Sequence, residues 1–428
     1  MDYQVNMKEI LNKALSQEYH GDTLGFIRTE YLNNIEKSLF IPDLIKVLIW
    51  QRRAGKSFII RQLIHFLLTE KKVPKQDILY LNMELWYLQT IQSTTELQTL
   101  VELFLQNNTE WKKYLFIDEV QEILGREKYL NWLRADPNCE IEIIISGSNS
   151  KLLSWELATY IAGRYITFHI SPFSFEEYLW ITLNKNNKAS LIDYLNIGWI
   201  PELYQRNDEI FRQNFMESLK DAVILKDIGQ RYKIKDLETF KKLFYFLMTN
   251  IWNLTSLNSL SKTLQTQWLH LSVATLSTYL SYLQDIFVFH WIQRYDIQWK
   301  KILQWEKKYY LNDLSFLNYS VSNFESYRWK KLENFVFTTL LQKGFHIYIW
   351  NVWNNEIDFI AEKQWNKLYI QVCYLLSDEN VIQREYWNLR KIKDSFPKYV
   401  VSLDDMQLPP DDYWIKHVQA RNLEKILQ

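Results

Sequence analysis

The sequence predicts an α/β chain of several domains organised on a parallel sheet, and three observations carry that prediction. From Leu44 to about residue 170, short apolar runs alternate with stretches of helical period. The runs read as strands buried on both faces, as strands of a parallel sheet flanked by helices do. At 428 residues the chain is also too long for one domain of the usual ~100–200 residues.

Residues 1–43 read as helix leading into the first strand. VLI (47–49), ILYLNM (78–83), YLFID (114–118), IEIIIS (141–146) and YITFHI (165–170) are the expected strands, with amphipathic stretches between them. After SPFSFEEYL (171–179) the strands stop, and residues 203–290 are mostly helical by pattern. There SLNSLSKTL and LSVATLSTYLSYLQDIF read as two helices joined by a short turn. The β-like VFHWIQRYDI and a return near KKYYLND follow, which together make a winged helix-turn-helix; a plain helical lid is the alternative. From Leu332 the pattern is mixed: a helix LENFVFTTLLQKG, strands FHIYIW, EIDFIAE and KLYIQVCYL, a polar helix near 378–394, and a strand YVVSL. This is a third, α/β unit.

Composition narrows the function classes. Fifty Lys and Arg balance fifty Asp and Glu, so any nucleic-acid surface is local rather than global. With 47% hydrophobic and 23% charged residues the chain is neither disordered nor fibrous. Cys139 and Cys373 stand far apart without CxxC spacing, which fits a reducing compartment and excludes a disulfide framework or four-Cys zinc site. The N-terminal MDYQVNMKEI has no signal pattern, and no run approaches the ~18 apolar residues of a membrane span. A cytoplasmic protein away from membranes is expected. The seven His are scattered without ligand spacing, and His65 reads as a core or solvated residue. One pair of counts is anomalous: nine Gly, about 2% against a usual ~7%, beside eighteen Trp, about 4%.

RRAGKS (52–57) joins the strand VLI to the amphipathic helix FIIRQLIHFLL. A loop placed there aims backbone N–H groups and the positive end of a helix at one point, which is what a polyphosphate needs. Trp50, Gln51, Arg52, Arg53, Ala54, Gly55, Lys56, Ser57 and Phe58 are therefore the expected nucleotide-binding residues. Lys56 would reach the β- and γ-phosphates and Ser57 would ligate Mg²⁺. About sixty residues on, YLFIDE (114–119) ends a strand in paired carboxylates. Asp118 would hold the metal's water shell, and Glu119 would orient and deprotonate the attacking water. SGSN (146–149) ends the next strand on the same edge, where Asn149 would sense the γ-phosphate. A P-loop nucleotide fold with ATP and Mg²⁺ as ligands follows. The full pattern GxxxxGK[ST] calls for Gly at position 50, where the phosphates touch bare backbone. Position 50 is Trp, and an indole would fill that space.

With these motifs the chain resembles, over nearly its whole length, the prokaryotic family of AAA-type ATPases with a C-terminal domain of unknown function similar to restriction endonucleases. The matching stretches are RRAGKS, YLFIDEVQEI, SGSNSKLLSWELATYIAGRY, SPFSFEEYL, KDIGQRY, KLENFVF, EIDFIAE and YIQVCY. The resemblance implies an ATPase core, a winged helix and a nuclease-like fold. It also makes Arg164 in AGRY a sensor or arginine finger. Where the family pattern has Gly, this chain has Trp at Trp50, Trp155, Trp199, Trp252, Trp299, Trp329 and Trp353. Independent mutations do not all select the largest side chain. One codon would explain them: UGA means Trp in some genetic codes and Gly in others, so a gene using UGA for Gly and translated with UGA as Trp would give this pattern; a genuinely Trp-rich divergent protein is the alternative. Trp132 and Trp291 fit ordinary core roles.

In the third unit, Glu333 and Asp358 match two carboxylates of a metal-dependent nuclease. The following ExK, needed for the metal and the nucleophile, reads Gln371 and Cys373. Missing ligands argue against cleavage. Arg52 and Arg53 flank the phosphate loop and face either nucleotide, a neighbouring subunit or surface acids. The segment 271–287 is rich in Ser, Thr and Tyr, with Lys233, Lys235, Lys241 and Lys242 upstream, which suits backbone contacts to DNA or simply a solvated face.

The expected organisation is an ATPase domain over 1–205, a helical and winged-helix domain over 206–310, and a restriction-endonuclease-like domain over 311–428. ATP binding or hydrolysis would rearrange these parts, on DNA through the winged helix, in a monomer or homo-oligomer. The rival reading is a DNA-binding or protein-interaction scaffold with an inactive P-loop; an ATP-gated nuclease is a third.

Overall fold

A computed structural model of the chain describes residues 2–39, 41, 44–106, 112–136, 140–150, 163–250, 252–253, 255–296, 301–321, 327–352 and 355–427. Two compact units are present, Met1–Ser171 and Pro172–Gln428.

In the first unit β1 (Ile45–Ile49), β2 (Ile78–Asn82), β3 (Lys113–Asp118), β4 (Ile141–Gly147) and β5 (Tyr165–His169) form one sheet in the order β2-β3-β4-β1-β5. Every neighbouring pair is parallel. All five strands anticipated from the sequence are there. Strands β1 and β4 are buried at every position, as their unbroken apolar runs require. The helix Lys56–Thr69 sets Ile59, Ile60, Leu63, Ile64 and Leu67 against Leu48 of β1, Phe116 of β3 and Ile144 of β4. These residues recur at the spacing of one helical face. Because β1, β4 and β3 are adjacent and run parallel, the loops leaving all three emerge side by side on one sheet edge, where ligands of open α/β sheets bind.

The second unit holds a mixed seven-stranded sheet. Its strands are β6 (Phe289–Asp296), β7 (Lys301–Leu311), β8 (His346–Val352), β9 (Asn355–Lys363), β10 (Asn366–Val372), β11 (Lys398–Ser402) and β12 (Lys416–Gln419), ordered β12-β11-β10-β9-β8-β6-β7. The last of them, β12, has no counterpart in the sequence reading. Strands β6 and β7 form an antiparallel hairpin, and β6 joins β8 in parallel through Arg294 and Ile349. The hairpin therefore shares a sheet with the strands that follow it, and the boundary expected near 310 falls at the end of β7. Ahead of the hairpin stand the helices Leu237–Asn250, Leu257–Thr266 and Val273–Asp285, with a bridge between Thr255 and Lys307. Ser256 and Ser272 cap the latter two, accepting from the backbone N–H groups of Ser259 and Thr275.

Gly198 turns with φ 97°, and a Cβ there would collide with Ser315. Beside it Trp199 is fully buried, its backbone N–H donating to both carboxylate oxygens of Asp313 at 3.0 and 3.1 Å.

Among the described residues ten non-glycine positions are left-handed, and three of them are Trp252 (φ 73°), Trp268 (φ 60°) and Trp414 (φ 61°). That region disfavours any Cβ and is where glycine is expected. Trp268 and Trp414 are 89% and 79% exposed, so packing does not hold them there. Trp50, Trp199 and Trp329 are not left-handed. Trp155, Trp299 and Trp353 lie outside the described residues, as does Cys139.

Candidate nucleotide site and a second charged cluster

The phosphate loop leaves β1 at Ile49 and enters its helix at Lys56, with Arg53 (φ 66°) and Gly55 (φ 96°) supplying the left-handed turns. Lys56 is buried, and its Nζ donates to the carbonyls of Trp50 at 3.1 Å and Gln51 at 3.0 Å. The ammonium is thereby held inside the loop that it would share with phosphates. Trp50 is buried, with its indole edge-on to His169 of β5 at 5.2 Å between centroids. Ala54 is buried, and its carbonyl accepts from Arg28 Nη1 at 3.3 Å; the same guanidinium holds Ser171 O at 2.7 Å. Arg28 thus ties the loop to the end of the β5 segment. Arg52 pairs with Glu84 at 3.0 Å, while Arg53 is exposed.

Asp118 ends β3 fully buried, and Tyr80 donates to its Oδ2 at 3.0 Å. Ser146 donates to Oδ1, and Ser57 is also hydrogen-bonded to this carboxylate. Burial first, then the charge of Glu119, raises the Asp118 carboxyl above its ordinary value, against those hydroxyls and Lys56. Glu119 takes a left-handed backbone (φ 55°) that turns its side chain out of the strand direction. Gln121 and Ser148 donate to its Oε2, the latter at 3.3 Å. Burial pushes Glu119 up, but Lys56, Arg52 and the hydrogen bonds from Gln121 and Ser148 leave the carboxyl below its ordinary value. The two adjacent acids are thus shifted in opposite directions, Asp118 up and Glu119 down. Asn149, at the end of β4, is buried on this same edge.

The structure brings together Lys56, Ser57, Asp118, Glu119 and Asn149, and it does not bring Arg164 to them. Arg164 precedes β5, its carbonyl accepting from Ile45 N, and its side chain is exposed and donates to Asn131 at 3.3 Å. That is the opposite edge of the sheet from the loop after Ile49, about 13 Å along the strand. A sensor role within one chain is excluded by this distance. Sequence reasoning missed Tyr80, Gln121, Ser146 and Ser148. Ser146 and Ser148 sit in the SGSN stretch already noted for Asn149, whereas nothing local marks Tyr80.

In the second unit Glu333, Asp358 and Lys308 converge. Lys308 of β7 is 4% exposed and lies 2.7 Å from Glu333, 2.9 Å from Glu356 and 4.0 Å from Asp358. Tyr310 donates to Glu333 at 2.6 Å, and Val372 N donates to Asp358 at 2.8 Å. Burial opposes the charge on Lys308, yet Glu333, Asp358 and Glu356 hold it above its ordinary value. Burial and then Glu333 raise Asp358 well above the carboxylate range. Gln371 donates to Glu385 at 3.1 Å, and burial pushes the Cys373 thiol up to about 12, so it is protonated. An ammonium thus stands among the carboxylates that a nuclease would give to metal. Among the described residues no group of three or more His, Cys, Asp or Glu is placed to hold a metal ion.

On the helix Val273–Asp285 two hydroxyls bond to the helix's own backbone, Thr278 donating to Ala274 O and Ser281 to Thr278 O. Lys241 and Lys242 lie near Asp221 and Glu238 at 3.7 and 3.9 Å, as a solvated face does. Among the described residues no helix is long and apolar enough to cross a membrane.

A strand, a phosphate loop, a lysine-bearing helix and a neighbouring strand ending in two acids define a P-loop ATPase domain of AAA type. A family profile described as "AAA domain" matches residues 43–179, and one described as "Domain of unknown function (DUF8612)" matches 188–327. The chain is 33% identical over 365 residues to an uncharacterized protein of Haemophilus influenzae, covering 84% of this chain and 89% of that one. It is 30% identical over 387 residues to the uncharacterized protein MJ1544 of Methanocaldococcus jannaschii, covering 86% and 83%. The chain belongs to the family of these two proteins. Among solved structures, the Walker-type ATPase paby2304 of Pyrococcus abyssi aligns over 69% of this chain and 95% of its own, at 16% identity and a TM-score of 0.49.

Proposed function

We propose that the chain is an ATP hydrolase whose site is the edge of the first unit's sheet. The observation that supports this most is the convergence of Lys56 and Ser57 of the loop with the two acids that end β3, Lys56 lowering Glu119 and Ser57 hydrogen-bonded to Asp118. An ionised Glu119 is the group able to take a proton from water, and Lys56 is the cation for the β- and γ-phosphate oxygens. Ser57 and Asp118 already meet through a hydrogen bond, so a hydroxyl and a carboxylate converge as the hard oxygen donors that Mg²⁺ takes. Those two residues would hold it, and the ion would neutralise charge on the phosphates. Asn149 is the γ-phosphate sensor. Arg164 acts as a finger only on a neighbouring copy, which makes a homo-oligomer part of this reading.

The remaining chain is read as a winged helix that positions DNA backbone and a nuclease-like unit that does not cut, over 206–310 and 311–428. The order of helices, bridge and β6–β7 hairpin favours the first part. Lys308 among the carboxylates favours the second. We also propose that several Trp stand where the natural product has Gly through UGA recoding. The three left-handed tryptophans support it, since that backbone suits glycine and two of the rings cover nothing.

Phosphate release is the test: the chain as written beside Trp50→Gly, Lys56→Ala and Glu119→Gln. Turnover in the Trp50→Gly form, absent in the other two variants, is expected. No turnover in either the written or the Trp50→Gly chain favours the scaffold with an inactive loop. For recoding, the codons of positions 50, 252, 268 and 414 decide: UGG there ends the idea.

A further inference from the structure

The parallel strands β10 and β11 end at Val372 and Ser402, and just beyond them Tyr374 and Leu403 line a cavity of about 250 Å³. Leu195 and Asn196, at the end of the helix Lys188–Ile197, form another wall. Arg328 and Lys331 complete it from the first turn of the helix Arg328–Gln342. The carboxyl ends of parallel strands are where α/β sheets receive ligands.

The charge at this place is unusual. The first turn of that helix reads Arg-Trp-Lys-Lys and contains no acid, although a helix N-terminus is itself electropositive and favours Asp or Glu. Lys331 is 2% exposed, with its Nζ donating to Asn196 Oδ1 at 2.9 Å. Burial and then the like charge of Arg328 push its ammonium down to about 8. The residues that line the cavity include two cations and no acid, so an anion entering it meets positive charge beside a helix N-terminus.

We propose that this cavity binds a compact phosphorylated small molecule, its phosphate held by Arg328, Lys331 and the helix N-terminus. Its carbon body rests on Leu195, Leu403 and Tyr374. Two cationic side chains with helix amide donors suit a dianionic phosphate better than a single carboxylate. The site is separate from the phosphate loop, and the test keeps the two apart.

The full chain carrying Lys56→Ala, which disables the phosphate loop, is titrated calorimetrically with inorganic phosphate and with glycerol 3-phosphate. One saturable site is expected, tighter for glycerol 3-phosphate. Arg328→Gln and Lys331→Met, added separately, each weaken it about ten-fold or more. Arg328 is exposed, so its variant keeps its fold, and far-UV circular dichroism verifies both. Absence of saturable binding at millimolar phosphate overturns the proposal, and so does binding that neither substitution alters.

Discussion

Replacing Lys308 by Met tests whether the acidic cluster of the second unit is balanced by a resident cation. The side chain lengths match, so packing is nearly conserved and the change removes charge. What remains is Glu333, 1% exposed and accepting from Tyr310 at 2.6 Å, beside the buried Asp358. Breaking a buried pair by removing one partner costs about 3–5 kcal/mol, because the other charge stays behind unpaired. Glu356 is 42% exposed and contributes little to that figure, since water screens it. Native-state hydrogen exchange reads the loss directly at the amides of β9, which carries Asp358, and of β10, whose Val372 N donates to that carboxylate. A loss of ~3 kcal/mol appears as roughly a hundred-fold faster exchange at the most protected of these amides. Adding Glu333→Gln to Lys308→Met recovers most of it, because the stranded charge is gone. If Lys308→Met leaves exchange there within about five-fold of the parent, the cation is not what balances the cluster, and the reasoning fails.

Three further outcomes follow from the same geometry. Glu119→Gln, which keeps shape and hydrogen bonding but loses the base, lowers ATP turnover of the Trp50→Gly chain by about 10²–10⁴-fold while leaving ATP retention on filters intact; equal turnover would remove Glu119 from the chemistry. Asp313 and Glu424 are buried acids raised by burial to about 6 and about 7. Their folded values exceed the unfolded ones, so the folded state holds these protons more tightly. Stability is greatest below about pH 4 for these two groups and declines as pH rises to about 7, by roughly 3 kcal/mol each. Asp313→Asn removes its share of that slope, visible in urea midpoints at pH 5 and pH 8; an unchanged slope contradicts the assignment. Trp268→Gly relieves a left-handed strain of ~1–2 kcal/mol against ~0.5–1 kcal/mol of glycine entropy. Since Trp268 is 89% exposed, the melting temperature rises slightly, whereas Trp268→Ala leaves it unchanged; equal effects of the two would remove the strain argument.

The phosphate site was legible because its signals are contiguous. A buried strand, a glycine-lysine-serine loop and an amphipathic helix lie within 45–69, and the strand with Asp118 and Glu119 carries its own apolar run. The opposite shifts of the two acids were not legible. They depend on Lys56 and Arg52, some sixty residues upstream, facing Glu119 and on Ser146 and Ser57 facing Asp118. Arg164 illustrates the converse: a motif placed it in a role, and the parallel register of β1 with β5 sets it on the far sheet edge. In the second unit Glu333 and Asp358 were visible as acids at family positions. Their partner Lys308 was not, since a lysine on a β-hairpin carries no mark of being buried.

From the sequence alone came the five parallel strands of the first unit, the nucleotide loop with its two acids, and the scarcity of glycine beside an excess of tryptophan. The first two rest on periodicity or residue type within a short window, where chemistry and local geometry coincide. The tertiary structure decided which tryptophans stand on left-handed backbone, that Asp118 is shifted up and Glu119 down, and that an ammonium stands among the buried carboxylates of the second unit. Those depend on sheet register and burial, which bring residues from distant segments into contact and change the dielectric around them. No local pattern encodes either.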